Sequence, residues 1–264
     1  MKKILSFLTA FLIIIGTSFL AHADNIITLA YEGAKPTYAP TSKNLWGGSL
    51  KFFSAGRSYY VDVQAAIMKK SFLAGIEKFQ KNYLTAKAEY NCWGPIVIQF
   101  SHVSTAEFYD LFCWDERNNP IMSENWRKKE LKCGLGLMLG SYNKSFIRFL
   151  VDVGLLWRTN QLRLPFLDVN CQNDKFQSMI AGGNLRIRIK PRFNIGSVKI
   201  PFWSDLENDC YWIKTGGYYN KTCLSLGVQI FKYFGLQSGI EIVKLTNNRN
   251  YRLTNNYLGA IILF

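Results

Sequence analysis

Residues 131–140 read LKCGLGLMLG, and this stretch decides the fold class of the chain. Apolar residues occupy every odd position, while the even positions carry lysine, glycine or methionine. Successive side chains of a β-strand point to opposite faces. The stretch therefore predicts a strand with one oily face and one polar or compact face.

The same period of two recurs along most of the chain. Leucine and isoleucine alternate with arginine and lysine in residues 185–190, and similar alternation covers 148–158 and 223–230. We predict about twelve strands, with ten as the smaller alternative, at 45–55, 57–68, 71–80, 83–92, 95–109, 129–140, 144–159, 178–190, 192–203, 217–232, 235–246 and 251–264.

The predicted connections fall into two alternating sets. One set is short, namely Lys69-Lys70, Trp93-Gly94, Ser141 to Asn143, Pro191 and Tyr233-Phe234; the other holds the long loops at 110–128, 160–177 and 204–216. This parity favours an all-β antiparallel transmembrane barrel over residues 45–264 with both termini periplasmic. A soluble β-sandwich is the alternative, because it also has regularly spaced strands.

The first 44 residues lack the alternation. Residues 1–23 combine Lys2 and Lys3 with an apolar run and end in Ala21-His22-Ala23, the pattern of a cleaved signal peptide. Residues 24–44 contain Pro36 and Pro40, and proline cannot donate to a closed ladder. We therefore expect these residues to be a periplasmic lead-in segment.

Composition agrees with an exported barrel. Hydrophobic residues make up 48% and aromatic residues 15%, which suits an apolar outer surface with aromatic girdles. After the signal segment, the longest uncharged stretch, residues 90–106, is too polar for a membrane helix. Without Lys2 and Lys3 the chain has 30 basic and 18 acidic residues, a net charge of +12. Export excludes nucleic acid, so anionic lipid, lipopolysaccharide or an anionic solute is the expected partner.

The last strand places Leu258, Ala260, Ile262 and Phe264 on one face. It resembles the C-terminal signature of bacterial outer-membrane barrels, which typically end in an aromatic residue. The resemblance implies location in the outer membrane and recognition of this strand by the barrel-assembly machinery.

Six cysteines lie after the signal segment, where an oxidising compartment allows disulfides. The strand assignment places five of them in or near the long loops, and these are the disulfide candidates Cys113, Cys133, Cys171, Cys210 and Cys223. Cys92 falls at the opposite rim, and the pairing stays open among fifteen possibilities. With no CxxC motif and one histidine in the mature chain, no metal site is predicted.

A set of basic residues points inward on the predicted register, namely Lys132, Arg148, Arg158, Arg186, Arg188 and Lys190. The inward acidic residues are Asp62, Glu107, Asp152 and Glu241. Basic lumens select anions, and in size the chain resembles the small twelve-strand porins for acidic sugars. The alternative is an interior filled by ion-paired side chains, since a barrel this narrow can fill itself.

His102 and Ser104 carry the remaining chemistry. Both share the face of Phe100 and point toward lipid, with Ser104 about 21 Å above the turn at Pro95. The pair resembles the His-x-Ser motif of outer-membrane phospholipase A and the lipid A deacylases. That resemblance implies a serine esterase in which His102 deprotonates Ser104.

The same resemblance implies a third polar residue about a dozen positions after the serine. Glu116 has that spacing, and Asn125 is the rival third member. Thr105 departs from the asparagine usual after the serine, and the phospholipase's calcium segment has only a loose counterpart in residues 123–127. Calcium is thus a cofactor only on the phospholipase hypothesis, and otherwise none is expected.

Three functions follow from these patterns. A porin-like or structural barrel takes precedence over a lipid acyl hydrolase, and the third is a surface adhesion protein that uses its long loops. The oligomeric state is left open.

Overall fold

A computed structural model of the chain describes residues 24–36, 45–71, 77–112, 120–164, 169–195, 198–246 and 251–264. Its strands are β1 (Asp24–Pro36), β2 (Leu45–Ala55), β3 (Tyr59–Ser71), β4 (Glu77–Trp93), β5 (Ile96–Phe112), β6 (Pro120–Gly140), β7 (Phe146–Leu164), β8 (Val169–Ile189), β9 (Arg192–Ile195), β10 (Val198–Ile213), β11 (Tyr218–Phe231), β12 (Phe234–Thr246) and β13 (Tyr251–Leu263).

Twelve of these strands form a closed antiparallel barrel. Each long strand pairs with its neighbour in the chain, and β1 closes the ring by pairing with both β2 and β13. The short β9 pairs only with the first residues of β10. The predicted all-β barrel of about twelve strands is thereby confirmed. No helix in the described ranges is long and apolar enough to cross a membrane.

Residues 24–36 correct the predicted lead-in segment, because they form β1. Ile26 lies opposite Leu263 on β13 and opposite Phe53 on β2. Pro36 is tolerated because it is the last residue of the strand, where a missing N–H costs least. Residues 1–23 and 37–44 lie outside the described part of the chain.

A second correction keeps the strand count at twelve. The predicted strands at 71–80 and 83–92 are one strand, β4, and the predicted turn at Lys69-Lys70 falls at the end of β3. Lys81 lies within this strand, where its ammonium group points inward and pairs with Glu107 at 3.1 Å. The inward face of the strand thus continues through the residues that the sequence pattern assigned to a turn.

The three predicted long loops are also largely strand. β5 and β6 extend into 110–128, β7 and β8 extend into 160–177, and β10 continues through most of 204–216. Backbone pairing persists there although the apolar alternation has stopped, because the ladder needs only N–H and C=O groups. The end of the barrel that carries Asp24 and Phe264 is called the lower end, and these extensions lie at the upper end.

An apolar belt surrounds the lower and middle barrel. On β6 the outward residues Leu131, Leu135, Leu137 and Leu139 are 50–71% exposed, and the next outward residue above them, Lys129, is also exposed. Exposed aromatic residues mark both borders, with Trp93, Phe231 and Tyr233 below and Tyr31, Trp46 and Trp212 above. Such a belt with aromatic borders is typical of barrels that contact lipid.

The interior contains two apolar layers separated by a polar one. The lower layer includes Tyr60, Tyr142, Phe146 and Trp203, and the upper layer includes Tyr109, Leu156, Tyr211 and Tyr219. Tyr142, in the turn that joins β6 to β7, is buried, and burial raises the pKa of its hydroxyl above the ordinary value. Apolar side chains are therefore buried in the described interior both above and below the polar layer.

Gly136 shows how closely the walls approach. A Cβ atom at this position would lie 1.9 Å from the carbonyl oxygen of Phe149 on β7. Real Cβ atoms do not come that near to a backbone oxygen, so only glycine fits between β6 and β7 at this level.

Candidate functional site

Arg148 is the centre of the polar layer in the lumen. Its Nη1 donates to Glu89 and, at 3.3 Å, to Gln99, while Nη2 donates to Asn184. The Glu207 carboxylate lies 3.8 Å from Nη2. Arg148 has no exposed surface, so these partners replace water around a fully buried cation.

Asp205 neutralises the two neighbouring arginines. It accepts from Nε of Arg186 at 3.1 Å and from Nε of Arg188 at 2.9 Å. The guanidinium groups also lie over aromatic rings, with Arg186 4.3 Å from the centre of the Tyr60 ring. The arginines therefore have both anionic and aromatic partners.

Lysines above this level are paired in the same way. Lys132 lies 2.5 Å from a carboxylate oxygen of Asp209 and 3.8 Å from one of Asp152. Lys128 pairs with Glu130, and Glu130 also accepts a hydrogen bond from the Tyr211 hydroxyl. These contacts connect the polar layer to the upper apolar layer.

The opposite wall continues the network. Lys51 pairs with Asp62 at 2.9 Å, and Lys221 pairs with Glu241 at 2.6 Å. Glu32 accepts hydrogen bonds from Tyr83 at 2.7 Å, Gln64 at 2.9 Å and Asn255 at 3.1 Å. A carboxylate held by three neutral donors is stabilised without a cation of its own.

The two remaining basic residues predicted for the lumen lie toward its ends. Arg158 is half-buried near the upper end, with its guanidinium 5.7 Å from the centre of the Phe176 ring. Lys190 lies at the lower end, where its Nζ donates to the carbonyl oxygen of Asn143 at 3.2 Å.

The sequence reasoning had placed Asp62, Glu107, Asp152 and Glu241 on the inward face, but it missed three other acidic partners. Asp205, Glu207 and Asp209 fell in the segment predicted as the loop 204–216, so no lumen position was assigned to them. They alternate with Leu206 and Asn208, and that alternation was the signal that could have placed them on the inner face of a strand.

The lumen contains small cavities among these side chains. Two cavities within the described lumen have volumes of about 70 and 50 Å³. Each is large enough for a few water molecules at most. Basic and acidic side chains of the described lumen thus form ion pairs with one another.

His102 and Ser104 lie on the outer face of β5, and both side chains are half-exposed. His102 is opposite Ala86 and Leu131, whereas Ser104 is opposite Leu84 and Lys129. No hydrogen bond joins the two side chains, although both belong to the described part of the chain. The pair shares a face and a height near the upper border of the belt.

The two candidates for a third member differ in what the structure shows. Glu116 lies outside the described residues. Asn125 lies on β6 opposite Phe108, six register positions from His102, and it accepts from Nε of Arg127 at 3.3 Å. At about 3.3 Å per residue, this separation keeps Asn125 away from the imidazole.

The disulfide candidates stay a prediction, and the structure describes the side chains of only four of the six cysteines. Cys92, Cys133, Cys210 and Cys223 are all free thiols. Cys133 lies in the exposed outer belt, whereas Cys223 lines a lumen cavity, so the barrel wall separates these two. Cys113 and the side chain of Cys171 are outside what the structure describes. No group of three potential metal ligands occurs among the described residues.

Comparison with known proteins identifies the fold. The chain is similar to the translocator domain of the autotransporter NalP from Neisseria meningitidis, at 8% identity over 92% of this chain and 88% of that one, with a TM-score of 0.51. It is also similar to the β domain of the Bordetella autotransporter BrkA, at 11% identity over 92% and 99% of the two chains, with a TM-score of 0.49. No family model matches the sequence, and no curated protein matches it. At such low identity the likeness shows the fold alone, a closed twelve-strand barrel of the outer-membrane type.

Proposed function

We propose that this chain is an integral barrel of a bacterial outer membrane with a closed lumen, and that it acts through its outer wall and upper end. The observation that carries the proposal is the interior, where buried ion pairs lie between two apolar layers. A structural or surface role suits such a barrel better than solute diffusion does.

The outer wall supports the membrane location. Large apolar side chains would be costly if they faced water over the whole circumference, and aromatic residues gather at the borders of the belt. Phe264 extends the last strand beyond β13 and donates its N–H to the carbonyl oxygen of Asn25 at 3.1 Å. The end of β13 beside it is the segment that the assembly machinery would contact.

The charge balance of the lumen argues against the porin-like alternative. An anion-selective pore needs cationic groups that are free to meet a solute. Lys132, Arg186 and Arg188 instead have carboxylate partners within 4 Å. The basic residues therefore neutralise acidic ones, and the surplus positive charge of the chain lies elsewhere.

Planar bilayers test the closed lumen. The refolded protein is expected to insert and to stay electrically silent, while a general porin reconstituted in parallel conducts. Insertion is checked independently by protease protection in liposomes and by the shift in gel mobility on heating. A steady open conductance with anion selectivity would show that the lumen is a channel and overturn the proposal.

A second candidate, lipid acyl hydrolysis, is favoured by one observation. Ser104 faces lipid near the upper border of the belt, directly opposite the exposed Lys129. In this reaction His102 takes the hydroxyl proton of Ser104 while the serine oxygen attacks an ester carbonyl. The ester C–O bond then breaks, and the alcohol leaves with the proton from His102. Water, deprotonated by the same imidazole, finally hydrolyses the acyl-serine, which releases the fatty acid and restores the Ser104 hydroxyl. Rotation of the imidazole toward Ser104 has to precede the attack.

Fatty-acid release from phospholipid and from lipid A tests this candidate. The reaction requires that Ser104→Ala and His102→Ala each abolish release, with calcium present or absent. Ser101→Ala is the matched control, because Ser101 is on the same strand but faces the lumen. If the wild-type protein releases no fatty acid from either lipid, hydrolysis is excluded.

A further inference from the structure

Three basic side chains gather on the outer wall just above the apolar belt. Arg127 and Lys129 lie on β6, and Lys175 lies on β8; all three are exposed. Thr159 on β7 is opposite both Arg127 and Lys175, so these two are separated by a single strand. Adjacent strands are about 4.8 Å apart, which places the two backbones about 10 Å from each other. We name Arg127, Lys129 and Lys175 the basic cluster.

The basic cluster differs from the lumen in having no anionic partner among the described residues. Arg127 contacts Asn125 and lies 5.9 Å from the centre of the Phe108 ring. Asp110 on β5 has an outward carboxylate, but it lies four residues above Ala106, which is the residue opposite Arg127. This carboxylate accepts a hydrogen bond from the Ser123 hydroxyl at 2.7 Å. Three neighbouring positive charges are therefore left for an anion from outside the chain.

An apolar concavity of the outer wall ends beside this cluster. Its outward residues include Leu29, Gly48, Leu50, Ala65, Ile67, Leu84, Ser104 and Ala106. Ala106 is opposite Arg127, and Ser104 is opposite Lys129. We name this concavity the outer groove. Through these two register pairs, the lipid-facing apolar surface on β5 lies next to the basic side chains on β6.

We propose that the outer groove and the basic cluster together bind lipid A, with an acyl chain in the groove and the phosphates at Arg127, Lys129 and Lys175. The inference rests on the proposed outer-membrane location. With the lower end in the periplasm, the upper border of the belt meets the outer leaflet, where lipopolysaccharide places its phosphates. Cations spread over about 10 Å match a headgroup with two phosphates, and charge-assisted bonds from arginine and lysine to phosphate are strong.

Native mass spectrometry of the refolded barrel tests the proposal. The probes are bisphosphorylated lipid A, monophosphorylated lipid A, phosphatidylglycerol and phosphatidylethanolamine, each added singly. Bisphosphorylated lipid A is expected to be retained most. The triple variant Arg127→Gln, Lys129→Gln, Lys175→Gln is expected to lower its apparent affinity at least tenfold, since each lost phosphate contact contributes to binding.

Matched variants separate the site from general charge and general shape. Lys144→Gln, Lys232→Gln, Lys244→Gln removes three exposed charges elsewhere and should leave binding unchanged. Filling the groove with Ala65→Leu and Ala106→Leu should weaken binding, whereas Ala88→Leu, an outward residue on β4 outside the groove, should not.

Two results would overturn the proposal. One is equal retention of lipid A by the wild type and the cluster variant; the other is retention of phosphatidylglycerol as strong as that of lipid A. If the triple variant misfolds, lipid A retention is measured for the single variant Lys129→Gln, which should also bind more weakly than the wild type. Failure of the wild type to insert into liposomes would instead contradict the outer-membrane location, so the two failures are distinguishable.

Discussion

Arg148 and Glu89 form an ion pair across the interior of the barrel, and neither side chain has any exposed surface. Arg148 comes from β7 and Glu89 from β4, so the pair ties together two strands that are not neighbours in the sheet. Because neither charged group is in contact with water, each depends on the other for stabilisation, and the pair holds β4 and β7 in a fixed relative position.

Removing one member of this pair should destabilise the barrel strongly. Arg148→Met leaves Glu89 buried without its cation, and breaking a buried pair costs about 3–5 kcal/mol. Urea unfolding of the protein folded in detergent micelles measures the free energy of unfolding. The double variant Arg148→Met, Glu89→Leu should regain part of the loss, because no lone charge of this pair then remains. A single variant as stable as Lys244→Gln, an exposed lysine on β12, would contradict the structural role of the pair.

Gly136 is expected to tolerate no larger residue. Gly136→Ala puts a methyl group against the carbonyl oxygen of Phe149, and the strands must shift to admit it, at about 1–3 kcal/mol. Gly48→Ala is the matched control, since its nearest atom would be 3.8 Å away. The midpoints of urea unfolding of the two variants should differ clearly, and equal midpoints would show that β6 and β7 are not in close contact.

Cys133 faces the outside of the barrel and Cys223 faces the lumen, and thiol labelling can test this difference. Each is retained as the sole cysteine, with the others replaced by serine, and treated with a fluorescent maleimide. A label on Cys133 should be quenched by lipids with brominated chains, because that thiol faces the belt. Cys223 should react only after unfolding, because the lumen cavity beside it has a volume of only about 50 Å³. Quenching at both positions would contradict the register of β6 or β11.

Deletion of residues 24–36 should prevent folding of the barrel. Both β2 and β13 would lose their hydrogen-bond partner, leaving two open edges in the membrane where no water can satisfy them. The band that shifts on heating should disappear, while the full-length chain and Pro36→Ala retain it. If the deleted chain still folds, β1 is not part of the closed wall.

The alternation of residues 131–140 and 185–190 was enough to predict strands with one oily face, because the strand period is a local property of the chain. The same alternation assigned inward positions to Arg148 and Arg186. It also turned His102 and Ser104 outward. None of these assignments needed knowledge of which strands are neighbours.

Other features depend on the closed ring and could not be read along the sequence. β1 was missed because its apolar alternation is weak and Pro36 suggested a break, yet it closes the wall between β2 and β13. The upper extensions were taken as loops because they lack an oily face, although backbone pairing alone maintains them.

The sequence by itself determined that the chain is a barrel with alternating faces and a surplus of positive charge. Only the tertiary structure decided where that charge is neutralised. Alternation specifies the face on which a side chain lies, but the pairing of Arg148 with Glu89 or of Arg186 with Asp205 depends on strands brought together by closure. The unpaired basic cluster likewise emerges only when β6, β7 and β8 lie side by side.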